Sequence, residues 1–492
     1  MKKFIFVIIG SLFSISLIAQ TNFNSSWICG SYGLKVTFNG TNVTTYPYVM
    51  VGKFFSGGHS NICDSNGRLI LVSDGMNIYD STLNFIDNGD TLLSNAYYLH
   101  EDGWSGYSQS SIFLPFDSSI YYLITPDVTD SMFNWWYTPP FPHSAPFDRL
   151  LYHKIDMKAN GGAGKVIEKA IPLLEHVELS KSQMMACKHA NGKDWWLIKQ
   201  WSEENKMVKF LIEKDSIYGP FYQTFAGVFH PADQSGQSMF SQDGTKYATT
   251  CRGTNKIFLA DFDRCTGEFS NPKWYNVPDY NCHNPNDITW IDVHTQALEF
   301  SPNGRFIYVM KYYNILQLDL LDIDSTSAWY HVAGLDTTWN AFALYNNSYL
   351  GKNEKLYIGY SAITEKELSV INEPDNKGTL CDFCAKCLIF PPGWGWTSTP
   401  PCMPNYDLGA LIPCWPLDTG NVNSSSNEIS IYPNPSSGII YIKNANQKKK
   451  GLYNNVGQLI FSTFKNEIDV SNYSKGVYFL RCGFQTKKVI IE

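Results

Sequence analysis

Two stretches sixty residues apart decide the fold: Phe240-Ser-Gln-Asp-Gly-Thr-Lys246 and Phe300-Ser-Pro-Asn-Gly-Arg-Phe306. Each links an apolar run to a second one through an Asp-Gly or Asn-Gly pair. Such pairs tolerate positive φ and close tight hairpins between strands. The same kind of turn recurs outward along the chain at Asn66-Gly67, Asp117-Ser118, Asn191-Gly192 and Lys352-Asn353. A β-like run precedes each turn, as at Ser110–Leu114 and Ala297–Ser301, and another follows, as at Ile120–Thr125 and Arg305–Met310. A third run comes after a loop, as at Leu150–Asp156 and Asn314–Leu320. Strand, turn, strand, loop, strand is an antiparallel meander.

With residues 67, 118, 192, 244, 304 and 353 as markers, the intervals are 51, 74, 52, 60 and 49. Repeats of that length point to radially arranged blades that bury their faces against one another. An open stack of sheets has the same spacing, but closing it into a ring removes exposed edges. Ser26–Asn39 and Cys402–Ile412 offer further strand-like runs, which predict a seventh blade made from both ends of the body. The expected fold class is all-β, a seven-bladed β-propeller over residues 20–420. Composition agrees. Among 492 residues, 30 Tyr, 30 Phe and 14 Trp, with 36 Gly and 24 Pro spread along the chain, favour strands and turns over helices.

Charge divides the chain. Residues 429–492 hold 9 Lys and Arg against 3 Asp and Glu, whereas residues 21–428 hold 27 basic and 42 acidic residues. An acidic body repels a nucleic-acid backbone, so no nucleic-acid partner is expected. At the N-terminus, Lys2 and Lys3 precede the apolar run Phe4–Ile18 and then Ala19-Gln20, the layout of a signal peptide over residues 1–19. An N-terminal anchor is the alternative, but the run is short for a span. No Cys follows the cleavage point, against a lipoprotein, and no membrane span is expected in the mature chain. In an exported chain the 12 Cys favour disulfides.

Residues 421–428, Asn-Val-Asn-Ser-Ser-Ser-Asn-Glu, are polar without period and read as a linker. Beyond them, runs at Ile429–Tyr432, Ile439–Lys443, Gly451–Tyr453, Gln458–Thr463, Glu467–Asp469, Gly476–Cys482 and Lys487–Ile491 predict a small Ig-like β-sandwich over residues 429–492. This module resembles the type A C-terminal sorting domain of the type IX secretion system of Bacteroidetes. The likeness rests on Tyr432-Pro-Asn-Pro-Ser-Ser-Gly438, Leu452-Tyr-Asn-Asn-Val-Gly-Gln-Leu459, Ile468-Asp-Val-Ser-Asn-Tyr-Ser-Lys-Gly-Val-Tyr-Phe479 and Lys487-Lys-Val-Ile-Ile-Glu492. It covers the whole module, and only Glu492 departs, where a basic residue is commoner. It implies handling by the type IX secretion machinery and a secreted or outer cell-surface location, with the tail cleaved and the cargo attached or released. The sorting-signal residues it assigns are Pro433, Asn434, Pro435, Gly438, Gly457, Gly476 and Tyr478. The prolines pre-set the backbone, and the glycines are expected to permit tight turns.

The body over residues 22–412 resembles a group of secreted propellers from the same bacteria. The carrying residues are Ser65-Asn-Gly-Arg-Leu-Ile-Leu-Val-Ser-Asp-Gly75, Asn160-Gly-Gly-Ala-Gly164, Lys188-His-Ala-Asn-Gly-Lys-Asp-Trp-Trp-Leu-Ile198, Phe300–Phe306 and Met403-Pro-Asn-Tyr-Asp-Leu-Gly409. This likeness implies seven blades and assigns no catalytic residue.

Motifs for chemistry are incomplete. Gly161-Gly-Ala-Gly-Lys165 has Ala159 and Val166 where a phosphate loop needs its first Gly and its hydroxyl, and reads as a turn. Gly103-Trp-Ser-Gly-Tyr107 has Tyr107 where a nucleophile elbow needs Gly. Cys381-Asp-Phe-Cys-Ala-Lys-Cys387, with Cys402 and Cys414, has thiolate spacing for zinc or an iron–sulfur cluster. The nearby fourth Cys is missing and an oxidising route favours disulfides, so no metal or cofactor is expected. Cys265 and Cys282 flank an insertion and are placed to staple it. Neither an HExxH pair, a sialidase-type Ser-x-Asp-x-Gly-x-x-Trp box nor a calcium loop occurs. His189 reads as structural, and His59 as structural or as pocket lining. Trp195 and Trp196 alternate on a strand and read as core.

Two aromatic, Pro-rich loops remain, Phe133–His143 and Pro391–Trp396. Trp135, Trp136, Tyr137, Trp394 and Trp396 are the candidate ligand-binding residues, because aromatics on rigid loops suit sugar stacking or protein contact. They also suit packing over blade edges. The function expected is a non-catalytic binding module for a glycan or a surface protein. The alternatives are a propeller hydrolase or lyase with an axial pocket, and a purely structural surface protein. Clustered carboxylates or His on the axis favour the enzyme, and a lined-up aromatic patch favours binding.

Overall fold

The computed structural model describes residues 22–31, 34–48, 53–55, 57–100, 107–138, 146–201, 205–226, 236–279, 281–282, 290–291, 294–322, 328–335, 344–360, 366–391, 399–411, 429–444, 450–454, 459–482 and 485–492. The expected signal peptide, the expected linker, Trp394, Trp396 and Gly457 lie outside these. The chain divides into two compact units, Met1–Cys414 and Trp415–Glu492.

In the first unit, the marked turns join neighbouring antiparallel strands. Their side chains explain why: Asp117 Oδ1 accepts the N–H of Ser119 and Ile120, and Asn303 Oδ1 that of Arg305. These are Asx turns, in which a side chain caps the reversing backbone. The first sheet orders Asn42–Pro47, Leu34–Asn39, Ser26–Ser31 and Phe54–Phe55. A second has Ser60–Cys63, Leu69–Ser73 and Ile78–Asp80. Three later four-stranded sheets begin at Ser238–Phe240, Thr295–Phe300 and Tyr345–Leu350.

Between them lies a seven-stranded sheet built around the 24-residue strand Lys165–Lys188. Its early half pairs with Phe147–Asp156 and its late half with Trp195–Trp201, and Leu179 pairs with Phe147 on one side and Trp201 on the other. One long strand thus closes one meander and opens the next. Ala170, His176 and Gln183 have positive φ, which lets a strand of this length bulge and turn.

First strands of several successive sheets are neighbours: Ser26–Ser31 with Ser60–Cys63, Ser60–Cys63 with Ile112–Pro115, Lys165–Lys188 with Ser238–Phe240, Ser238–Phe240 with Thr295–Phe300, and Thr295–Phe300 with Tyr345–Leu350. The last sheet meets the first, where Trp27 and Phe38 pack edge-on against Tyr357 at 5.3 and 5.7 Å. Lys352 Nζ also donates to Asn22 Oδ1 at 2.7 Å. One apolar cluster runs through these faces, and Trp195 and Trp196 lie in it as expected.

Two expectations are corrected. The first sheet is built from N-terminal residues alone, and residues 399–411 form no strand. Pro400, Pro401 and Pro404 have no N–H to give a ladder. Residues 133–136 of the expected loop Phe133–His143 belong instead to a short helix, Asp130–Trp136, with Thr129 capping Met132 N at 3.2 Å and Asp130 in the first turn.

The second unit has two sheets. Ser430–Tyr432, Ile439–Lys443 and Glu467–Asp469 form one, and Leu459–Thr463, Lys450–Tyr453, Gly476–Cys482 and Gln485–Ile491 the other. Ile440, Leu452, Leu480, Val489 and their neighbours form its own core.

Candidate functional site

The first strands of the sheets begin with buried amides and hydroxyls. Gln109 Nε2 donates to the Ser238 carbonyl at 2.7 Å, and its Oε1 accepts the Ser238 N–H at 2.9 Å. Gln237 does the same to Ser348, at 2.6 and 3.1 Å. Ser108 donates to Asn347 Oδ1 at 2.8 Å. Three strands that are not neighbours in chain order are therefore tied together by side-chain amides. All these residues but Ser108 are buried, so each bond replaces one that water cannot make.

Lys199 lies in the same interior, fully buried, and donates to the Ser182 carbonyl. Burial pushes its amine down to about 7, against the neighbouring Cys402. Burial in turn pushes the Cys402 thiol up to about 12. His59 is also fully buried, which drives its imidazole down to about 3, and its carbonyl accepts the Cys402 N–H at 2.9 Å.

From Cys402 the chain runs as a strap across the hairpin turns. Tyr406 OH donates to the Phe113 carbonyl at 2.9 Å, Lys188 Nζ to the Tyr406 carbonyl at 3.0 Å, and Asn405 Nδ2 to the Gln242 carbonyl at 2.9 Å. Leu411 N–H reaches the Ala190 carbonyl at 2.9 Å. Gly192 and Gly244 are needed here. Both have φ near +70°, and an added Cβ would come within 2.8 Å of Ala410 N at one and of Leu408 Cδ2 at the other.

Under the strap, between the turns at 241–244, 301–304 and 351–354, is a cavity of about 190 Å³. Its walls include Met185, Met239, Phe240 and Met403, and its polar lining includes Asn24, Glu299, Tyr349, Lys352 and Asp407. Glu299 is fully buried. Its Oε1 accepts the Phe300 N–H at 2.9 Å, while Oε2 has no partner. Burial holds this carboxyl well above the usual range, against the nearby Phe300 and Leu350 N–H groups. Among the described residues no group of three or more His, Cys, Asp and Glu is arranged to hold a metal.

The expected aromatic loop divides by role. Trp136 is half-buried, stacked on Phe147 at 6.1 Å and 14°, with Lys181 Nζ 4.9 Å above its ring. Trp135 and Tyr137 are 47% and 46% exposed. Tyr137 OH is held 2.9 Å from His100 Nε2, and its ring lies 4.8 Å from Phe133. The helix and its C-cap thus present two exposed rings beside a packed one.

Other expected residues fall into structural roles. His189 accepts the Asn191 N–H at 3.1 Å and contacts the Cys265 carbonyl. Gly161 sits in the turn Asn160–Gly162. Cys384 and Cys387 are joined in a disulfide and Cys265 is disulfide-bonded, whereas Cys29, Cys63, Cys187, Cys381, Cys402 and Cys482 are buried free thiols. These thiols depart from the expected disulfide usage, because they are buried as small apolar residues, Cys29, Cys63, Cys187 and Cys482 within strands and Cys381 and Cys402 outside them. Sequence reading missed Gln109, Gln237, Lys199 and Glu299. A Gln-Ser pair opening two separate runs, and a lone Glu between Leu298 and Phe300, were the available signals.

In the second unit, Asn434 Oδ1 accepts the Ile490 N–H at 2.7 Å and Nδ2 donates to the Lys488 carbonyl at 2.6 Å. Ser436 exchanges backbone bonds with Ile490 and Glu492, so the Pro-Asn-Pro segment is clamped along the last strand. Tyr478 is buried and its OH donates to the Ser474 carbonyl at 2.8 Å. Gly438 has no positive φ and open space around it, so the expected tight turn does not require glycine there.

Fold and tail together define an all-β chain addressed for export. Residues 430–492 match the secretion system C-terminal sorting domain family. This tail is a type IX sorting domain, and it directs the chain to a secreted or outer-surface location. No curated protein matches the chain. Among solved structures, a functionally unknown protein from Desulfotomaculum acetoxidans is similar at 14% identity and a TM-score of 0.40, over 77% of this chain and 99% of that one. A putative 6-phosphogluconolactonase from Bacteroides fragilis is similar at 11% and 0.40, over 70% and 90%. A periplasmic gluconolactonase from Pseudomonas aeruginosa is similar at 8% and 0.37, over 76% and 98%. At these values no activity carries over. Among the described residues, no helix is long and apolar enough to cross a membrane.

Proposed function

We propose that the chain is a type IX secretion cargo whose body is a seven-bladed propeller acting as a non-catalytic binding module, with the ligand stacked on Trp135 and Tyr137. Splitting the seven-stranded sheet at Leu179 gives seven meanders, and the contact of Trp27 with Tyr357 joins the last to the first. We read residues 20–420 as this propeller, 1–19 as signal peptide, 421–428 as linker and 429–492 as an Ig-like sorting sandwich.

The observation that carries the binding reading is the pair of exposed rings, Trp135 in the capped helix and Tyr137 at its C-cap, the latter held by Phe133 and His100. Rigid aromatic faces bind sugar C–H faces or protein side chains at low entropic cost. The enzyme reading has less support. Glu299 is the single buried carboxylate on the first strands of the described sheets, and amides fill the space between those strands. Binding of the full chain to a glycan array, wild type against Trp135→Ala/Tyr137→Ala, tests the proposal. Loss of a sugar signal in the variant supports it. A wild-type signal that the variant keeps refutes it, and capture of a surface protein alone moves the reading to its protein branch.

A further inference from the structure

We infer that the Cys384–Cys387 disulfide is a thiol–disulfide exchange centre, which oxidises an exposed dithiol of a polypeptide. It shares no residue with the exposed rings of Trp135 and Tyr137 and does not depend on them. The disulfide lies in Phe383–Ile389, the edge strand of the last sheet, with Cys387 exposed and Cys384 half-buried. Exposed disulfides are the labile ones, because a thiolate can reach a sulfur. A role as a staple has little to act on. The bond joins residues three apart, and the constraint a disulfide puts on the unfolded chain shrinks with the loop it closes.

The loop also holds its shape by other means. Leu368 pairs with Leu388 and Val370 with Cys384, so Ser369 alone faces Ala385, Lys386 and Cys387 in a bulge. Buried Ser369 accepts the Lys386 N–H on its Oγ at 3.0 Å, and the same Oγ lies 2.6 Å from the hydroxyl of buried Tyr360. Two cysteines anchored in this way stay within reach of each other after the bond opens. Cys381, three residues before Cys384, is buried and shielded from an incoming thiol.

The exchange balances in two steps. One thiolate of the dithiol attacks Cys387 Sγ, the disulfide breaks, and its electron pair leaves on Cys384 Sγ, which takes a proton from water. The second thiol of the dithiol, deprotonated, then attacks the sulfur now joined to Cys387, and Cys387 leaves as a thiolate that is protonated in turn. The dithiol loses two electrons and two protons, and the cysteine pair gains them. A small disulfide such as oxidised glutathione restores the pair by the same steps in reverse, releasing two thiols.

The test incubates the folded full chain with an excess of a reduced two-cysteine peptide, blocks free thiols with iodoacetamide and maps them by mass spectrometry. The peptide is expected to be oxidised faster than it is without the protein, with Cys384 and Cys387 gaining label and Cys381 none. Reducing the pair is expected to change the melting temperature no more than a surface substitution does. With oxidised glutathione, Cys384→Ser is expected to form a mixed disulfide on Cys387 roughly tenfold faster than Cys387→Ser forms one on Cys384. Should a variant fail to fold, the wild-type measurements decide. A peptide oxidised no faster than alone, label on Cys381, a clear fall in melting temperature on reduction, or equal rates in the two variants overturns the inference.

Discussion

The side-chain amide of Gln109 bonds both backbone groups of Ser238, donating at 2.7 Å and accepting at 2.9 Å. It does for one residue what a neighbouring strand does for many. Gln237 repeats the arrangement on Ser348, so three separate sheets are held at their first strands. Truncating Gln109 leaves a buried N–H and a buried carbonyl unpaired, each costing about 1–3 kcal/mol. Gln109→Ala is therefore expected to lower unfolding stability by about 2–4 kcal/mol. Gln109→Glu keeps the shape but loses the donor, and is expected to be no better. Urea denaturation checks both, and a loss within the scatter of surface substitutions contradicts the clamp.

Lys199 sets a pH dependence of definite sign. Its amine is at about 7 in the folded chain and at 10.5 when exposed. Between these values the unfolded chain holds a proton that the folded chain does not, so stability rises with pH across that window. Lys199→Met is expected to flatten this limb in denaturation curves taken from about pH 7 upward.

Glu299 acts in the opposite sense. Its folded carboxyl stays protonated above the ordinary 4.5, so the folded chain binds the extra proton and stability falls as pH rises from there. Glu299→Gln removes that decline. In acid a third effect enters, because burial puts His59 and His153 at about 3 against 6.5 when exposed. Stability is lost as pH falls through that interval, and His59→Gln with His153→Gln is expected to shallow the acid limb. An unchanged slope in either variant contradicts the assignment.

Trp135 and Trp136 are adjacent but unequal. Trp136 stacks on Phe147 and carries Lys181 over its ring, so Trp136→Ala is expected to cost about 2–4 kcal/mol. Trp135 is 47% exposed, and its removal is expected to change stability by no more than about 0.5 kcal/mol. Melting of the two single variants separates base from binding face.

In the sorting unit, Asn434 bonds the last strand through both amide atoms. Asn434→Ala is expected to loosen that strand by about 1–2 kcal/mol and to reduce export. The share of protein outside the cell, compared with wild type, measures it. Full export of the variant shows that the clamp is dispensable for sorting.

Most of this architecture was legible because its signal is local. Asn303-Gly304 and Asp243-Gly244 announce their own turns, and the runs beside them alternate or fill as strands do. The tail was legible from motifs in a fixed order along the chain, from Tyr432–Gly438 to Lys487–Glu492. Long-range choices were not. Cys402–Ile412 reads as a strand by its apolar residues, yet Pro404, with Pro400 and Pro401 just before it, and bonds from Tyr406, Asn405 and Leu411 to Phe113, Gln242 and Ala190 make residues 402–411 a strap. The helix at 130–136 was hidden by the prolines that follow it, which make Phe133–His143 read as a loop, and its cap, Thr129, is also bonded to Asp148 from a following strand. Gln109 and Gln237 look like ordinary polar starts of strands until the fold brings their partners within reach.

The most direct measurement is glycan-array binding of the intact chain beside its Trp135→Ala/Tyr137→Ala variant. Two stacked rings contribute about 1–3 kcal/mol together, so a sugar signal in wild type should weaken by about ten- to a hundredfold in the variant. Equal binding by the two proteins, or no sugar bound by the wild type, contradicts a glycan-binding role for this face.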